Sequence, residues 1–349
     1  MWRVLVVDDS VVARTLLKRV LERDPALKVA GEAADGKEAV AAAMRLRPDV
    51  IVMDVRMPVM DGLEATKEIM RRCATPIVLV TAGNRPPEVD MSFAALDAGA
   101  VAMLDKPHGE AVAGSSAQVT EFVDTIRLMA EIRVVGRRFA KETATRGASF
   151  PKAGAPEVDV VAIAASTGGP AALAQILRDL PSRLRVPILV VQHIGAGFDD
   201  GLVSWLGAGS ALPVRLAEAG APLLPGEVVV CPHDRHLGVD DRLRVVLDDR
   251  DPIRRHRPSA TYLFGSIARC HNVNALGVVL TGMGNDGVEG LVELKNAGGL
   301  IVAQDEATSV VYGMPRCAVE LGLADAVLPL DDIAAAIVAA TQITSLDRA

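Results

Sequence analysis

Aromatic side chains are scarce in this sequence: they make up 3% of its 349 residues, although half of the chain is apolar. Its cores must therefore be built from Ala, Val, Leu and Ile, which suits buried parallel strands and the helices that cover them. Cysteine is scarce too. Cys73, Cys231, Cys270 and Cys317 lie far apart, which argues against a CxxC zinc or redox motif and against the dense disulfide framework of small secreted domains. Long apolar runs are missing. None approaches the ~20 residues of a membrane span, and the run after Arg3 stops at Asp8, too early for a signal peptide. Basic charge is not in excess. A formal net charge of -7 gives no footprint for nucleic acid. What these absences leave is an α/β protein of the reducing cytoplasm, not inserted into a membrane.

The length predicts two domains. In the first 107 residues short Val/Ile/Leu strands alternate with longer helical patterns. Strands are expected at Val4–Val7, Val29–Glu32, Val50–Met53, Ile77–Val80 and Ala100–Leu104. Such alternation reads as βαβ units on a parallel sheet. An apolar stripe through Phe122, Ile126, Met129, Ile132 and Val135 predicts a fifth helix. Residues 140–157 have no period and read as a linker between domains at 1–139 and 158–349. The βα pattern then restarts. Strands are expected at Val158–Ala165, Val186–Gln192, Glu227–Cys231, Ala275–Thr281, Leu300–Gln304 and Ala324–Leu328. Helices are expected at Ala171–Leu180, at Ser259–Cys270 and in a run ending at Gly298-Gly299. An antiparallel hairpin over His236–Asp249 turns at Asp240-Asp241. No internal repeat is visible.

The N-terminal half concentrates carboxylates at strand ends. Asp8 and Asp9 end the first strand and Asp54 the third, Thr81 ends the fourth, and Lys106 follows the fifth. In a parallel sheet these ends share one edge, where ligands bind. Three carboxylates there repel one another and call for a cation, and all-oxygen ligation favours Mg²⁺. A carboxylate beside Mg²⁺, a lysine and a hydroxyl suits phosphoryl transfer onto an aspartate. The runs "VLVVDDS", "DVIVMDVRMPVMDG", "VLVTA" and "AMLDKP" resemble a response-regulator receiver domain over residues 1–130. The resemblance implies a flavodoxin-like (βα)5 fold with Asp54 as phosphoacceptor. It implies Asp8, Asp9, Asp54 and the Arg56 carbonyl as Mg²⁺ ligands, Thr81 and Lys106 as phosphoryl contacts, and a histidine kinase as phosphodonor. Met103 stands where many receivers carry a switching Tyr or Phe.

In the C-terminal half Ser166 ends a strand before Thr167-Gly168-Gly169-Pro170, His193 ends the next, and Asp286 lies in "TGMGNDG" after a later one. All three fall on one predicted sheet edge. A hydroxyl nucleophile needs a base, and the base an orienting carboxylate. The order Ser…His…Asp, with Ala164 two residues before the serine, does not fit the GxSxG elbow and Ser…Asp…His order of α/β-hydrolases. The run Gly282-Met283-Gly284-Asn285-Asp286-Gly287 also fits GxGxxG, with Asp305 about 20 residues on, where a dinucleotide ribose would sit. That reading places the motif late in its domain and leaves Ser166 and His193 without a purpose.

The runs "ASTGGP", "VVQHI", "HRPSA", "GVVLTGMGNDG" and "QDEATSVVYGMPR" resemble the catalytic domain of the CheB chemotaxis methylesterases from residue 158 to about 340. The resemblance implies a doubly wound, mainly parallel α/β sheet with an antiparallel hairpin. It implies hydrolysis of glutamate γ-methyl esters on chemoreceptors, with methanol released and certain receptor glutamines deamidated, and no cofactor at the esterase site. Ser166 becomes the nucleophile, His193 the base and Asp286 its orienter. The Met283 N–H helps hold the oxyanion, and Thr167 shapes the site beside Ser166. The resemblance also implies that the unphosphorylated receiver packs over the site and that phosphorylation exposes it. Ala165 departs from the glycine usual before the serine. A catalytically silent adaptor or phosphate sink is the alternative. His233 and His236 form HxxH without a clear third metal ligand. His256 is expected to be structural or at the substrate edge, and His108 and His271 at solvent or helix ends.

Overall fold

The computed structural model describes residues 1–81, 86–107, 117–132, 150 and 157–341. The chain divides into two compact units, Met1–Thr143 and Ala144–Ala349. The linker expected over 140–157 lies outside the described residues, save Phe150 and Glu157, as do Val135 of the expected fifth helix and His108.

The first unit runs β1 (Trp2–Val7), α1 (Val11–Leu21), β2 (Leu27–Ala33), α2 (Gly36–Leu46), β3 (Val50–Asp54), α3 (Gly62–Cys73), β4 (Ile77–Thr81), α4 (Pro86–Asp97), β5 (Ala102–Asp105) and α5 (Ala117–Glu131). The strands form one parallel sheet in the order β2-β1-β3-β4-β5. Every residue of β3 and β4 is buried, as a sheet covered on both faces requires. Asp35 and Asp61 cap α2 and α3 by accepting the Glu38 and Glu64 N–H groups at 2.9 and 2.8 Å. Of the stripe expected on the fifth helix, Phe122, Ile126 and Met129 are buried on α5, whereas Ile132 is half-buried just beyond its end at Glu131.

The second unit runs β6 (Val160–Ala165), α6 (Gly169–Asp179), β7 (Ile188–Gln192), α7 (Asp199–Gly209), β8 (Val214–Leu216), β9 (Val228–Val230), β10 (His236–Val239), β11 (Val245–Asp248), α8 (Ala260–Ala268), β12 (Ala275–Val279), α9 (Val288–Asn296), β13 (Leu300–Gln304), α10 (Met314–Glu320), β14 (Ala326–Leu328) and α11 (Leu330–Thr341). Seven strands lie parallel in the order β14-β13-β12-β6-β7-β9-β8. The hairpin β10–β11 is antiparallel, as expected, and stands apart from that sheet. From β6 the chain moves to β7 on one side, and it later returns to β12 on the other. This reversal opens a crevice at the carboxyl ends of β6 and its neighbours, the place where α/β sheets bind ligands. In the first unit β1, between β2 and β3, makes the same kind of switch point. No helix among the described residues is long and apolar enough to cross a membrane.

Candidate active site

Each unit presents chemistry at its own switch point. In the first, Asp8 and Asp9 follow β1, Asp54 and Thr81 close β3 and β4, and Lys106 follows β5. The carboxylates of Asp8, Asp9 and Asp54 offer ligand atoms within 4.8 Å of one another. Lys106 Nζ reaches Asp8 Oδ2 at 2.6 Å and Asp54 Oδ1 at 3.0 Å. Thr81 is buried beside them, and its carbonyl accepts the Lys106 N–H at 2.8 Å. Burial alone would lower the lysine, but Asp8 and Asp54 raise it overall, so its ammonium stays charged. Asp54 is pushed up to about 6, by burial first and by the Asp8 charge, against the pull of Lys106. The Lys106 ammonium thus bridges two of three crowded carboxylates. An all-oxygen cluster of this kind fits a hard divalent cation.

That shift has a consequence for stability. Asp54 binds its proton more tightly when folded than when unfolded, so stability falls as pH rises from about 4 to about 6. In chelator, Asp54→Asn is expected to raise the stability of the first unit at pH 7 by roughly 1–3 kcal/mol. Calorimetry of the full chain should show its transition shifted upward at pH 7. The gain should vanish below pH ~4, where wild-type Asp54 is itself protonated.

In the second unit Ser166 follows β6, His193 follows β7 and Asp286 lies in the loop after β12. Pairing of Ala165 with Gln192 sets the first two side by side. Gln192 ties them further: its buried amide donates to the carbonyl oxygens of Ser166 and His193 at 2.9 and 2.7 Å. His193 Nε2 lies 3.0 Å from Asp286 Oδ2. Asp286, 2% exposed, also accepts from Ser259 Oγ at 2.7 Å, Ala260 N at 2.6 Å and Thr261 N at 3.3 Å. It thereby caps α8 from a distant loop, in a helix whose own Ser259 makes no side-chain cap. Burial raises the Asp286 carboxyl, but the His193 and Ser259 bonds outweigh it and hold it well below the usual carboxylate range. An anionic Asp286 fixes the His193 proton on Nε2. Nδ1 is buried with no hydrogen-bond partner among the described residues. In the neutral imidazole the lone pair is therefore on Nδ1, to which Ser166 Oγ is not bonded in this structure. Such bonds often tighten only once substrate arrives.

The remaining site residues follow from Gly282. A Cβ placed there would sit 2.8 Å from Ser166 Cβ and 2.5 Å from Met314 Sδ, so the backbone leading to Met283 runs against the serine. Thr167 turns its carbonyl to Thr281 Oγ, which donates to it at 2.9 Å. Gly168 and Gly287, both with left-handed φ (78° and 96°), start α6 and α9 without a side-chain cap. No side chain caps the first turn of either helix; the first N–H groups, those of Gly169 and Val288, donate to the carbonyls of Ser166 and Asn285 at 2.8 and 3.3 Å. Gly282→Ala is expected to displace Ser166 and lower turnover by ~10²-fold, a loss of the size that a 1 Å misplacement produces. Steady-state kinetics would check it, with circular dichroism to confirm the fold.

The GxGxxG run does follow a strand and precede a helix, but its aspartate is committed to His193 and α8. Asp305, the expected ribose ligand, is spent on its own turn, accepting from Thr308 N and Oγ1 at 2.9 and 2.6 Å. The HxxH histidines join no group of three metal-binding side chains among the described residues. His236 instead stacks on Tyr262, with its Nε2 3.3 Å from the Asp251 carbonyl. His271 is exposed just beyond α8, near Asp241. The sequence reading missed Gln192 and Ser259. His256, expected to be structural or at the substrate edge, stacks its ring on His193 with centroids 4.4 Å apart and planes 6° from parallel.

A five-stranded receiver-like unit joined to a doubly wound α/β unit with Ser, His and Asp at its carboxyl edge defines a response regulator with a hydrolase output domain. Comparison with known proteins agrees. Residues 161–337 match the CheB methylesterase family, and residues 4–113 match the response regulator receiver domain. A protein-glutamate methylesterase/protein-glutamine glutaminase of Myxococcus xanthus is 50% identical, over 97% of this chain and 96% of its own. One from Anaeromyxobacter dehalogenans is 48% identical, over 96% of this chain and 97% of its own. The crystal structure of the Thermotoga maritima CheB methylesterase catalytic domain is 38% identical, with a TM-score of 0.51. That match covers 52% of this chain and 98% of that one. The chain belongs to the CheB methylesterase family.

Proposed function

We propose that this protein hydrolyses glutamate γ-methyl esters on chemoreceptors, releasing methanol, under control of phosphorylation at Asp54. What carries the reading is the setting of His193: Nε2 faces the buried anionic Asp286 across 3.0 Å, and Nδ1 is buried with no hydrogen-bond partner among the described residues. Ser166 Oγ attacks the ester carbonyl while His193 Nδ1 takes its proton. Asp286 stabilises the imidazolium so formed. The oxyanion is held by backbone N–H groups, that of Met283 among them, each such donor being worth about 3–4 kcal/mol. Thr167 borders the serine. The imidazolium then protonates departing methanol, and water activated by the same nitrogen frees the glutamate. Deamidation of a receptor glutamine would use the same acyl-serine with ammonia leaving, in keeping with the double activity in the relatives' names.

In the first unit Asp54 would accept the phosphoryl group from a histidine kinase, with Lys106 and Thr81 neutralising its oxygens. Asp8, Asp9, Asp54 and the Arg56 carbonyl would hold Mg²⁺, which when bound offsets the negative charge of the cluster. The domains would run 1–139 and 158–349 about a linker, and the protein would work in the cytoplasm, at receptor arrays. Phosphorylation acts only through the difference it makes between closed and open states, and a tenfold activation needs about 1.4 kcal/mol.

The test is methanol release from methylated chemoreceptor membranes, with and without a small phosphodonor and Mg²⁺. Release stimulated by the phosphodonor in wild type, and no longer stimulated in Asp54→Asn, is the expected result. No release under either condition, from receptors shown to carry the methyl group, would refute the esterase. Full stimulation of Asp54→Asn would refute the phosphoacceptor.

A further inference from the structure

One short stretch, His256 to Thr261, grips both His193 and the carboxylate that orients it. Ser259, Ala260 and Thr261 hold Asp286, and His256 lies flat against His193 at 4.4 Å and 6°. The stretch is itself anchored on either side of His256. Reciprocal backbone bonds of 3.1 and 2.9 Å close the turn Ile253–His256. Arg257 donates to Asp234 Oδ1 at 2.7 Å and to the carbonyls of Asp249 and Arg250 at 3.1 Å each. His256 is thus a wall whose place is set by the backbone around it. The backbone of His193 is held as well, its N–H on the Ala165 carbonyl at 3.0 Å and its own carbonyl accepting from Gln192 at 2.7 Å. Its ring, however, is tied by Nε2 alone, since Nδ1 has no partner among the described residues, so it can turn about that one bond.

We infer that His256 is a positioning residue for ester cleavage: its ring holds His193 in the plane that keeps Nε2 on Asp286 and Nδ1 free for the serine proton. The inference rests on the reading of His193 as the base. The groups facing His256 are His193, Asp286 and Arg255. Burial first, then repulsion from His193 when that ring is protonated and from Arg255, lower His256 despite the pull of Asp286, and so favour its neutral form. That neutrality matters at the moment of reaction. When His193 takes the proton from Ser166 Oγ, the cation it becomes lies against an aromatic face and not against a second cation.

The experiment compares full-length wild type, His256→Ala and His256→Phe. Methanol release from methylated chemoreceptor membranes gives kcat and KM, and ¹⁵N NMR of the imidazoles reports the His193 tautomer. His256→Ala should lower kcat by ~10–100-fold with KM changed less than ~3-fold, as loss of alignment does. Its His193 should lose the single Nε2–H tautomer. His256→Phe, which keeps a flat ring but no ring nitrogen, should stay within ~3-fold of wild type in kcat and keep that tautomer. A folded His256→Ala with wild-type kcat and tautomer overturns the inference. So does a Phe variant that falls as far as the Ala variant. Should His256→Ala fail to fold, His256→Leu, bulky but not flat, takes its place with the same expected loss. If wild type itself releases no methanol, the esterase reading fails, yet the tautomers still decide whether His256 positions His193.

Discussion

Replacing Ser166 with alanine is expected to reduce methanol release by ~10⁴–10⁶-fold, the scale on which loss of a hydrolytic serine acts. The fold should survive the change, because what binds Ser166 to its surroundings is backbone. Its N–H donates to the Thr281 carbonyl at 3.1 Å, and its carbonyl accepts from Gly169 N at 2.8 Å and from Gln192 at 2.9 Å. An alanine keeps all three bonds and loses only the hydroxyl. The two activities also separate in this variant. Asp54 lies in the first unit and Ser166 in the second, so the variant should still accept a phosphoryl group from a phosphodonor while a serine-directed phosphonate no longer labels it. A protein that keeps labelling, or keeps wild-type turnover, has its nucleophile elsewhere. A protein that loses both phosphorylation and esterase activity has lost its fold, and the result then says nothing against Ser166. Phosphorylation with no hydrolysis is the pattern that assigns the serine.

Much of this arrangement was legible in the residues themselves. Runs such as Val160–Ala165 and Ile77–Val80 are apolar along their whole length, and only a strand buried on both faces needs that. The polar residues that close such runs then fall on one edge without any knowledge of contacts. That is why Asp54, Ser166 and His193 could be placed from the sequence. Elements with weaker patterns were not read. β8 is three residues at a sheet edge, half-exposed, with Arg215 paired to Glu227 at 2.8 Å. α7 carries three glycines, Gly201, Gly207 and Gly209, which depress helical propensity. α11 is so rich in alanine that its buried face has no sharp edge in the sequence.

The site residues that escaped reading escaped for a different reason. Gln192 matters because strand pairing brings it to the Ser166 carbonyl, 26 positions away in the chain. Ser259 and Ala260 matter because Asp286 arrives from 27 and 26 positions further on. Nothing local marks these residues. Only the closed sheet brings the partners together, and what they form is a scaffold for the reacting groups.

That scaffold makes the effect of Asp286→Asn calculable in kind. The carboxylate accepts from four donors, and an amide can satisfy only some of them. With its nitrogen at the Oδ2 position it would meet the Ala260 N–H, now 2.6 Å away, donor against donor. With its nitrogen at the Oδ1 position it meets Thr261 N at the longer 3.3 Å, and Ser259 Oγ can turn to accept. The second orientation is the less costly. It leaves the amide oxygen toward His193 Nε2, so the tautomer survives and only the negative charge is lost. The imidazolium that forms as Ser166 attacks then has no counter-ion at 3.0 Å. Turnover is expected to fall by ~10²–10⁴-fold with KM little changed, since the lost interaction strengthens only in the transition state. Loss of the anion at the start of α8 should also cost about 0.5–2 kcal/mol of stability. The stability effect carries its own pH signature. A carboxyl held below its ordinary value stabilises the fold above pH ~4 and loses that contribution as pH falls through its folded value. The gap between wild type and Asp286→Asn should therefore be widest near neutrality and close in acid. Denaturant unfolding of the second unit at pH 7 and pH 3, set beside kinetics and the ¹⁵N tautomer, separates the two consequences. A retained Nε2–H tautomer with collapsed kcat identifies Asp286 as the charge that stabilises the base. An altered tautomer would show that orientation, and not charge, is what Asp286 supplies.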